Sequence, residues 1–322
     1  MRAVVLNEPA RPHAVTDFPV PKRRPGTLLI RSVSVGVNPV DLNIRAHPST
    51  KAYTPQEFPK VLGGDVAGLV EEAEEVSKFQ KGDKVFALTP GYYYVTPEGC
   101  YAEYVLAEEG WVARVPDNLP LDEAAGVPLV SLTAWQALHQ VEPKAGQRVL
   151  ITAAAGGVGH IAVQLAKSLG LYVVGIAGPK NLDWVKSLGA DEVVDYTTQD
   201  VSEVYKDNKF DLAVDSMGSR SDLSSKLFAV TKPSGHFAQI RNSSIDSALL
   251  EAAKKDHEEG RGPSVGITIV QPDGKQLQHV ADLISEGKLK LTVAAKFPLE
   301  EFEKAHDQIA TGHTRGKVVL TL

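Results

Sequence analysis

Ala154, Gly156 and Gly159 stand at the spacing Ala-x-Gly-x-x-Gly, and small residues at that spacing can cradle a pyrophosphate. Gly156 would let the backbone approach the anion closely, and Gly159 would let a helix pack tightly on its strand. The N–H groups at the start of that helix, those of Gly157 and Val158, would then face the negative charge. About 20 residues further on, a site for an unphosphorylated ribose places an Asp or Glu that accepts both ribose hydroxyls. Here the corresponding stretch reads Ile176-Ala177-Gly178-Pro179-Lys180-Asn181, with no carboxylate. Lys180 puts an ammonium near the start of the next helix, where a cation suits a ribose 2′-phosphate. Read alone, Lys180 is equally a surface lysine; the missing acid is the firmer half of the argument, and together they favour NADP(H) over NAD(H).

A strand must deliver such a turn and a helix must leave it. The apolar run 149–152 reads as a buried strand, and Ile161, Leu165 and Leu169 recur at helical spacing after the glycines. Further buried strands are expected at 172–176, 192–194, 211–215, 235–240 and 265–270, with helical stretches between most of them. That alternation predicts a parallel, doubly wound sheet whose ligand lies at the carboxyl ends of its strands. Before it, residues 2–6, 28–35, 66–71, 84–88, 100–106 and 112–115 read as short strands between Pro- and Gly-rich turns, an all-β barrel or sandwich. A helix over 121–140 bridges the two patterns. After residue 272 the chain changes again: helix 275–285, strand 289–296, helix 299–311 and strand 317–322. The expected organisation is therefore a β-rich domain built from 1–121 and 273–322, with a nucleotide domain, 122–272, inserted between.

Composition bounds the function classes. The 322 residues suit two domains, and 43% hydrophobic content supplies sizeable cores. A formal net charge of -6 with mixed signs forms no basic stripe, so nucleic acid and anionic membranes are not expected partners. The single cysteine, Cys100, excludes an internal disulfide and a four-thiolate zinc. No apolar run reaches the length of a membrane span, and the strand-like 2–6 opens the chain without a leader; cytoplasm is the expected compartment, or an organelle after removal of a transit peptide.

Several segments together resemble a known family over nearly the whole chain. They are Gly36-Val37-Asn38-Pro39-Val40-Asp41, Leu62-Gly63-Gly64-Asp65-Val66-Ala67-Gly68, Gly82-Asp83-Lys84-Val85, Gly99-Cys100-Tyr101-Ala102-Glu103-Tyr104, Leu132-Thr133-Ala134-Trp135, the glycine turn, Ser187-Leu188-Gly189-Ala190-Asp191 and Gly316-Lys317-Val318-Val319. In this order they resemble a medium-chain dehydrogenase/reductase of the zinc-free, quinone oxidoreductase type. The resemblance implies a GroES-like barrel, a Rossmann domain, and a cleft between them for nicotinamide and substrate. Alcohol dehydrogenases of this family take zinc on a Cys in the segment matching 38–41 and on a His in the segment matching Gly64-Asp65. Neither side chain is present here, and a catalytic zinc needs about three protein ligands. Without a Lewis acid to stabilise an alkoxide, the accessible chemistry is hydride delivery to an electrophile already activated by conjugation, a quinone or an α,β-unsaturated carbonyl such as an enone or alkenal.

Within that resemblance, Asn38 occupies the place of the lost thiolate and would donate to the substrate oxygen or the carboxamide; it also reads as a turn residue before Pro39. Tyr53 falls in a loop where related reductases carry a substrate-facing tyrosine, although Arg45-Ala46-His47-Pro48-Ser49-Thr50-Lys51 departs from the family's short turn, and an exposed loop tyrosine is the other reading. Thr133 resembles the threonine that meets the nicotinamide end, and it also suits a helix cap. Tyr196 matches an aromatic that stacks on the adenosine side, or it packs. Gly178 stands where NADP-binding relatives carry Ser, which leaves Lys180 more of the phosphate to hold. Tyr92, Tyr93 and Tyr94 would bind a flat apolar substrate or pack on the barrel. His160 and His139 read as packing or capping residues. The expected function is an NADPH-dependent quinone or enone reductase; the alternative is an NADPH-binding protein without significant catalysis, redox-sensing or crystallin-like. Relatives are commonly dimers joined through strands of the nucleotide domain, and 265–270 offers such an edge.

Overall fold

The computed structural model describes residues 1–7, 14–46, 59–90, 98–217, 223–240 and 247–322. These form two compact units, Met1–Leu132 with Gln271–Leu322, and Thr133–Val270. The first unit holds β1 (Arg2–Leu6), β2 (Ala14–Asp17), β3 (Thr27–Val37), β4 (Lys60–Val61), β5 (Asp65–Glu72), β6 (Lys84–Leu88), β7 (Tyr104–Glu108) and β8 (Val112–Arg114). The second holds β9 (Arg148–Ile151), β10 (Tyr172–Ala177), β11 (Glu192–Asp195), β12 (Phe210–Asp215), β13 (Thr231–Gln239) and β14 (Ser264–Ile267); β15 (Val293–Pro298) and β16 (Lys317–Thr321) return to the first.

In the first unit, sheet order runs β15-β16-β3-β5-β6-β8, with β7 also paired to β3, and a smaller sheet runs β2-β1-β4. The long β3 is the spine. Its Leu28, Ile30, Val35 and Val37 are buried, as are Val66 of β5, Val85, Phe86 and Leu88 of β6, Val105 of β7 and Val318 of β16. Antiparallel pairing of β3 with β5 sets Gly36 opposite Asp65, and pairing with β16 sets Val37 opposite Val318. This register brings the ends of three distant segments, at Asn38, Asp65 and Lys317, to one place.

The second unit is a six-stranded, all-parallel sheet in the order β11-β10-β9-β12-β13-β14. Its core is made by Leu150, Val174, Ile176, Val194, Phe210, Ala213 and Phe237 of the strands, with Leu227 of the helix Leu223–Ala229 packed among them. The strand order reverses between β9 and β12, so the carboxyl ends of these two strands form the switch point at which such sheets bind ligands.

Several local expectations change. The helix expected over 121–140 is two, Leu121–Ala124 and Pro128–Leu138. Gly126 lies between them, where a side chain would press on Leu291 at 3.0 Å, and Pro128 opens the second helix. The strand expected from Cys100 starts only at Tyr104, because the Cys100 and Tyr101 N–H groups donate to the Gly63 and Leu62 carbonyls in a loop pairing. The strand expected from 289 starts at Val293. Among the described residues no helix is long and apolar enough to cross a membrane.

Candidate functional site

The glycine turn leaves β9 at Ile151 and opens the helix Gly157–Ser168. Gly159 has no room for a side chain, since a Cβ there would stand 2.1 Å from the Ala153 carbonyl oxygen. Gly156 is the N-cap, with φ -81°, and meets nothing closer than that same oxygen at 3.2 Å. The His160 N–H makes the first bond back to the Gly156 carbonyl, so the N–H groups of Gly157, Val158 and Gly159 open the helix without an intrahelical acceptor. His160 itself is buried, with Nδ1 2.9 Å from the Gly156 oxygen and its ring stacked on Trp184; it packs, and the helix has no side-chain cap. Ala153 has φ 45°, alone among the described non-glycine residues in the left-handed region. Backbone strain of this kind concentrates at functional turns.

Beside this turn, β10 ends at Ala177 and runs into Gly178 and a single 3-10 turn, Pro179–Asn181, which carries Lys180. No carboxylate follows the strand. Tyr196, just past β11, is 55% exposed, and its ring lies 3.5 Å from where a Gly178 side chain would begin. The ring is therefore an open flat face against a glycine instead of a core packing residue. The glycine turn, Gly178, Lys180 and Tyr196 thus share the carboxyl ends of three adjacent parallel strands. Thr133 is buried well inside the helix Pro128–Leu138, which removes the capping reading.

Sequence reasoning missed a lock at the switch point. The Thr152 hydroxyl donates to buried Asp215 (3.1 Å), the Ser216 N–H to the Thr152 hydroxyl oxygen (2.9 Å), and the Ser216 hydroxyl to the Thr152 carbonyl (3.0 Å). Ser224 and the Met217 N–H complete the shell of Asp215. These bonds tie the turn after β9 to the turn after β12. The available signal was an aspartate closing an apolar strand, where an isolated charge needs partners.

In the first unit, Asn38 is 1% exposed, and three buried titratable groups bond to it. Its side-chain Nδ2 donates to Asp65 Oδ2 (2.8 Å), its Oδ1 accepts from Lys317 Nζ, and its backbone N–H donates to Asp41 Oδ2 (2.8 Å). Asp65 also accepts from the Leu129 N–H (2.7 Å), and Lys317 also donates to the Val37 carbonyl (2.9 Å). The Tyr101 hydroxyl donates to Asp41 (3.2 Å) and lies 3.2 Å from His306 Nε2. Burial pushes the Asp41 carboxyl up to about 7 and raises Asp65, whereas burial lowers the Lys317 ammonium. Asp41, Asp65, Tyr101, His306 and Lys317 were not singled out as site residues, because none shows its burial in the local pattern.

The place that would hold a zinc does not fit one. Asn38 is engaged in amide hydrogen bonds, Gly64 has no side chain, and among the described residues no group of three His, Cys, Asp or Glu side chains is placed to hold a metal ion. Tyr53 and the cluster Tyr92, Tyr93 and Tyr94 lie outside the described residues.

Residues 24–117 match the model of the alcohol dehydrogenase GroES-like domain, and residues 188–320 match a family described as zinc-binding dehydrogenase. The chain is 33% identical over 313 residues to a chloroplastic quinone-oxidoreductase homolog of Spinacia oleracea, covering 94% of this chain and 92% of that protein. Among solved structures it resembles the quinone oxidoreductase from Coxiella burnetii, with a TM-score of 0.89, 31% identity and coverage of 100% and 99% of the two chains. It also resembles mycobacterial Rv1454c complexed with NADPH, with a TM-score of 0.81, 27% identity and full coverage of both chains. With a GroES-like unit, a parallel nucleotide-binding sheet and relatives of this kind, the chain belongs to the medium-chain dehydrogenase/reductase family, among its quinone oxidoreductase-like members, and is an oxidoreductase.

Proposed function

We propose that this chain is a zinc-independent, NADPH-dependent oxidoreductase that delivers hydride to quinones or to the C=C bond of α,β-unsaturated carbonyls, enones and alkenals. The observation that carries the reading is a pairing: a complete dinucleotide cradle in one unit, and in the other a zinc-ligand place filled by an amide and a glycine. Bound NADPH would supply the hydride from its nicotinamide C4 to an acceptor that needs no metal to polarise it. The N–H groups of Gly157 and Val158 hold the pyrophosphate, and Gly156 gives it room. Lys180 neutralises the 2′-phosphate, Gly178 keeps its approach open, Tyr196 lies on the adenosine side, and Thr133 meets the nicotinamide end. Asn38 donates to the acceptor oxygen as negative charge grows there, with Tyr53 the second candidate donor.

Assembly and location follow the same reading. A homodimer paired along β14, an edge strand with half-exposed residues throughout, is the proposed state, and a monomeric mass by light scattering would defeat it. The cytoplasm is the proposed compartment; cell fractionation that puts the chain in an organelle would replace it. The functional test is oxidation of NADPH and of NADH by the purified protein with 1,2-naphthoquinone, an enal and a cyclic enone in turn. Turnover that prefers NADPH supports the proposal, and the best acceptor separates quinone from double-bond reduction. Tight NADPH binding without turnover of any acceptor would make the chain a binder.

A further inference from the structure

A cluster of buried titratable groups surrounds one neutral side chain. Lys317 on β16, Asp65 on β5 and Asp41 in the helix Pro39–Ala46 each come from a different segment, and each is 3% exposed or less. All three bond to Asn38. A lysine in this position is not explained by stability, because a buried ion pair is seldom better than apolar side chains of the same volume. Lys317 lies 3.9 Å from Asp65, too far for a direct hydrogen bond, and gives its protons instead to the Val37 carbonyl and Asn38 Oδ1. The cation thus seizes the amide oxygen while the carboxylate takes one hydrogen of the amide nitrogen. An asparagine held this way has one orientation, and its polarised nitrogen retains a single further hydrogen to offer.

We propose that Lys317 is a positioning residue: with Asp65 as counterpart, it clamps the Asn38 amide so that its nitrogen is presented as the hydrogen-bond donor to the acceptor oxygen. The inference rests on the assignment of Asn38 made under the proposed function. Asp41 fixes the backbone end of the same residue through the Asn38 N–H, which leaves neither the main chain nor the side chain of Asn38 free to turn. The clamp acts on orientation alone; the cofactor residues Gly156, Gly178 and Lys180 make no part of it.

The test has two arms on the full chain. In the first, the Asn38 side-chain amide is assigned by NMR through its loss in Asn38→Ala, and its hydrogen exchange is measured. Slow exchange in the native protein that becomes fast in Lys317→Met supports the clamp, and exchange unchanged by the substitution overturns it. In the second, a double-mutant cycle compares Asn38→Ala, Lys317→Met and the pair. Each single change is expected to lower kcat by about tenfold to a hundredfold with NADPH Kd unchanged, the cost of a misplaced group. The pair is expected to fall no further than Asn38→Ala, and Lys317→Arg to recover most of the rate.

Losses that multiply in the pair mean that Lys317 acts elsewhere and overturn the proposal, as does full activity in Lys317→Met. If Lys317→Met does not fold, the charge-balanced Lys317→Met/Asp65→Asn replaces it in both arms and is read against Asp65→Asn alone, with the same outcomes. Full activity in Asn38→Ala defeats the assignment on which the clamp rests. Absence of wild-type turnover defeats the proposed function, and the exchange arm still decides whether the amide is held.

Discussion

Replacing Gly159 and Gly156 by alanine, one at a time, separates the two tasks of the glycine turn. A Cβ on Gly159 would stand 2.1 Å from the Ala153 oxygen, 2.7 Å from the Ala153 carbonyl carbon and 2.7 Å from Ala154 Cα. All three are backbone atoms of a turn that is already strained at Ala153, so nothing can swing aside. The start of the helix would have to retreat by about 1 Å, an overpacking that costs about 2–3 kcal/mol. At about 3 °C per kcal/mol for a unit of this size, the Tm of Gly159→Ala falls by about 6–9 °C. The retreat also withdraws the helix N–H groups from a phosphate, and with one charge-assisted bond lost, NADPH affinity drops by about tenfold or more. On Gly156 the new methyl meets the Ala153 oxygen at 3.2 Å and the Ala153 Cβ at an ordinary 3.9 Å, and φ is ordinary. Gly156→Ala therefore keeps its Tm within about 2 °C, helped by a stiffer unfolded chain, yet loses NADPH affinity by about tenfold because the methyl fills the approach to the anion. Thermal unfolding by circular dichroism without cofactor and a fluorescence titration with NADPH measure both effects. Equal loss of Tm in the two variants, or NADPH binding untouched in both, would refute the reasoning.

Lys180→Ala should weaken NADPH by about tenfold and leave NADH unchanged, the signature of one ammonium on a 2′-phosphate; equal weakening of both cofactors in titrations would place Lys180 elsewhere. Asp41 gives a pH dependence of stability. Its folded carboxyl keeps a proton up to about 7, and the unfolded one releases it near 4, so its ionisation weakens the fold as pH rises between those values. Asp41→Asn removes that loss, and its Tm relative to wild type should climb from about pH 4 to about pH 7 and level off above; a difference flat with pH contradicts the assignment. Burial also pushes the Cys100 thiol up, against a 3.2 Å contact with the Thr89 hydroxyl. A thiolate-directed reagent should therefore find no cysteine in the native protein and one per chain in urea, and fast native labelling would contradict the burial.

The parts legible in the sequence are those whose signal is local. β1 and β6 span the expected 2–6 and 84–88, since each is a short apolar run opened by a basic residue. The strand, turn and helix at 149–167 were legible for the same reason: apolar period and glycine placement lie within one stretch. The helix expected over 121–140 runs past Gly126-Val127-Pro128 because apolar residues continue on both sides of them, although the glycine and proline mark the break locally. The clamp around Asn38 was invisible because its bonds join residues 27 and 279 positions apart, and a lone Asp or Lys in a strand reads as a surface residue until the sheet register is known. The lock between Thr152 and Asp215, 63 positions apart, escaped for the same reason.

Isotope transfer tests the central claim most directly. Protein treated with a chelator is given NADPH deuterated at the transferred C4 position and an enone or quinone. Metal-independent hydride delivery predicts undiminished turnover, a primary isotope effect on kcat, and deuterium at the β-carbon of the reduced enone. Activity that vanishes with the chelator and returns with zinc, or a reduced enone without deuterium at its β-carbon, would contradict it.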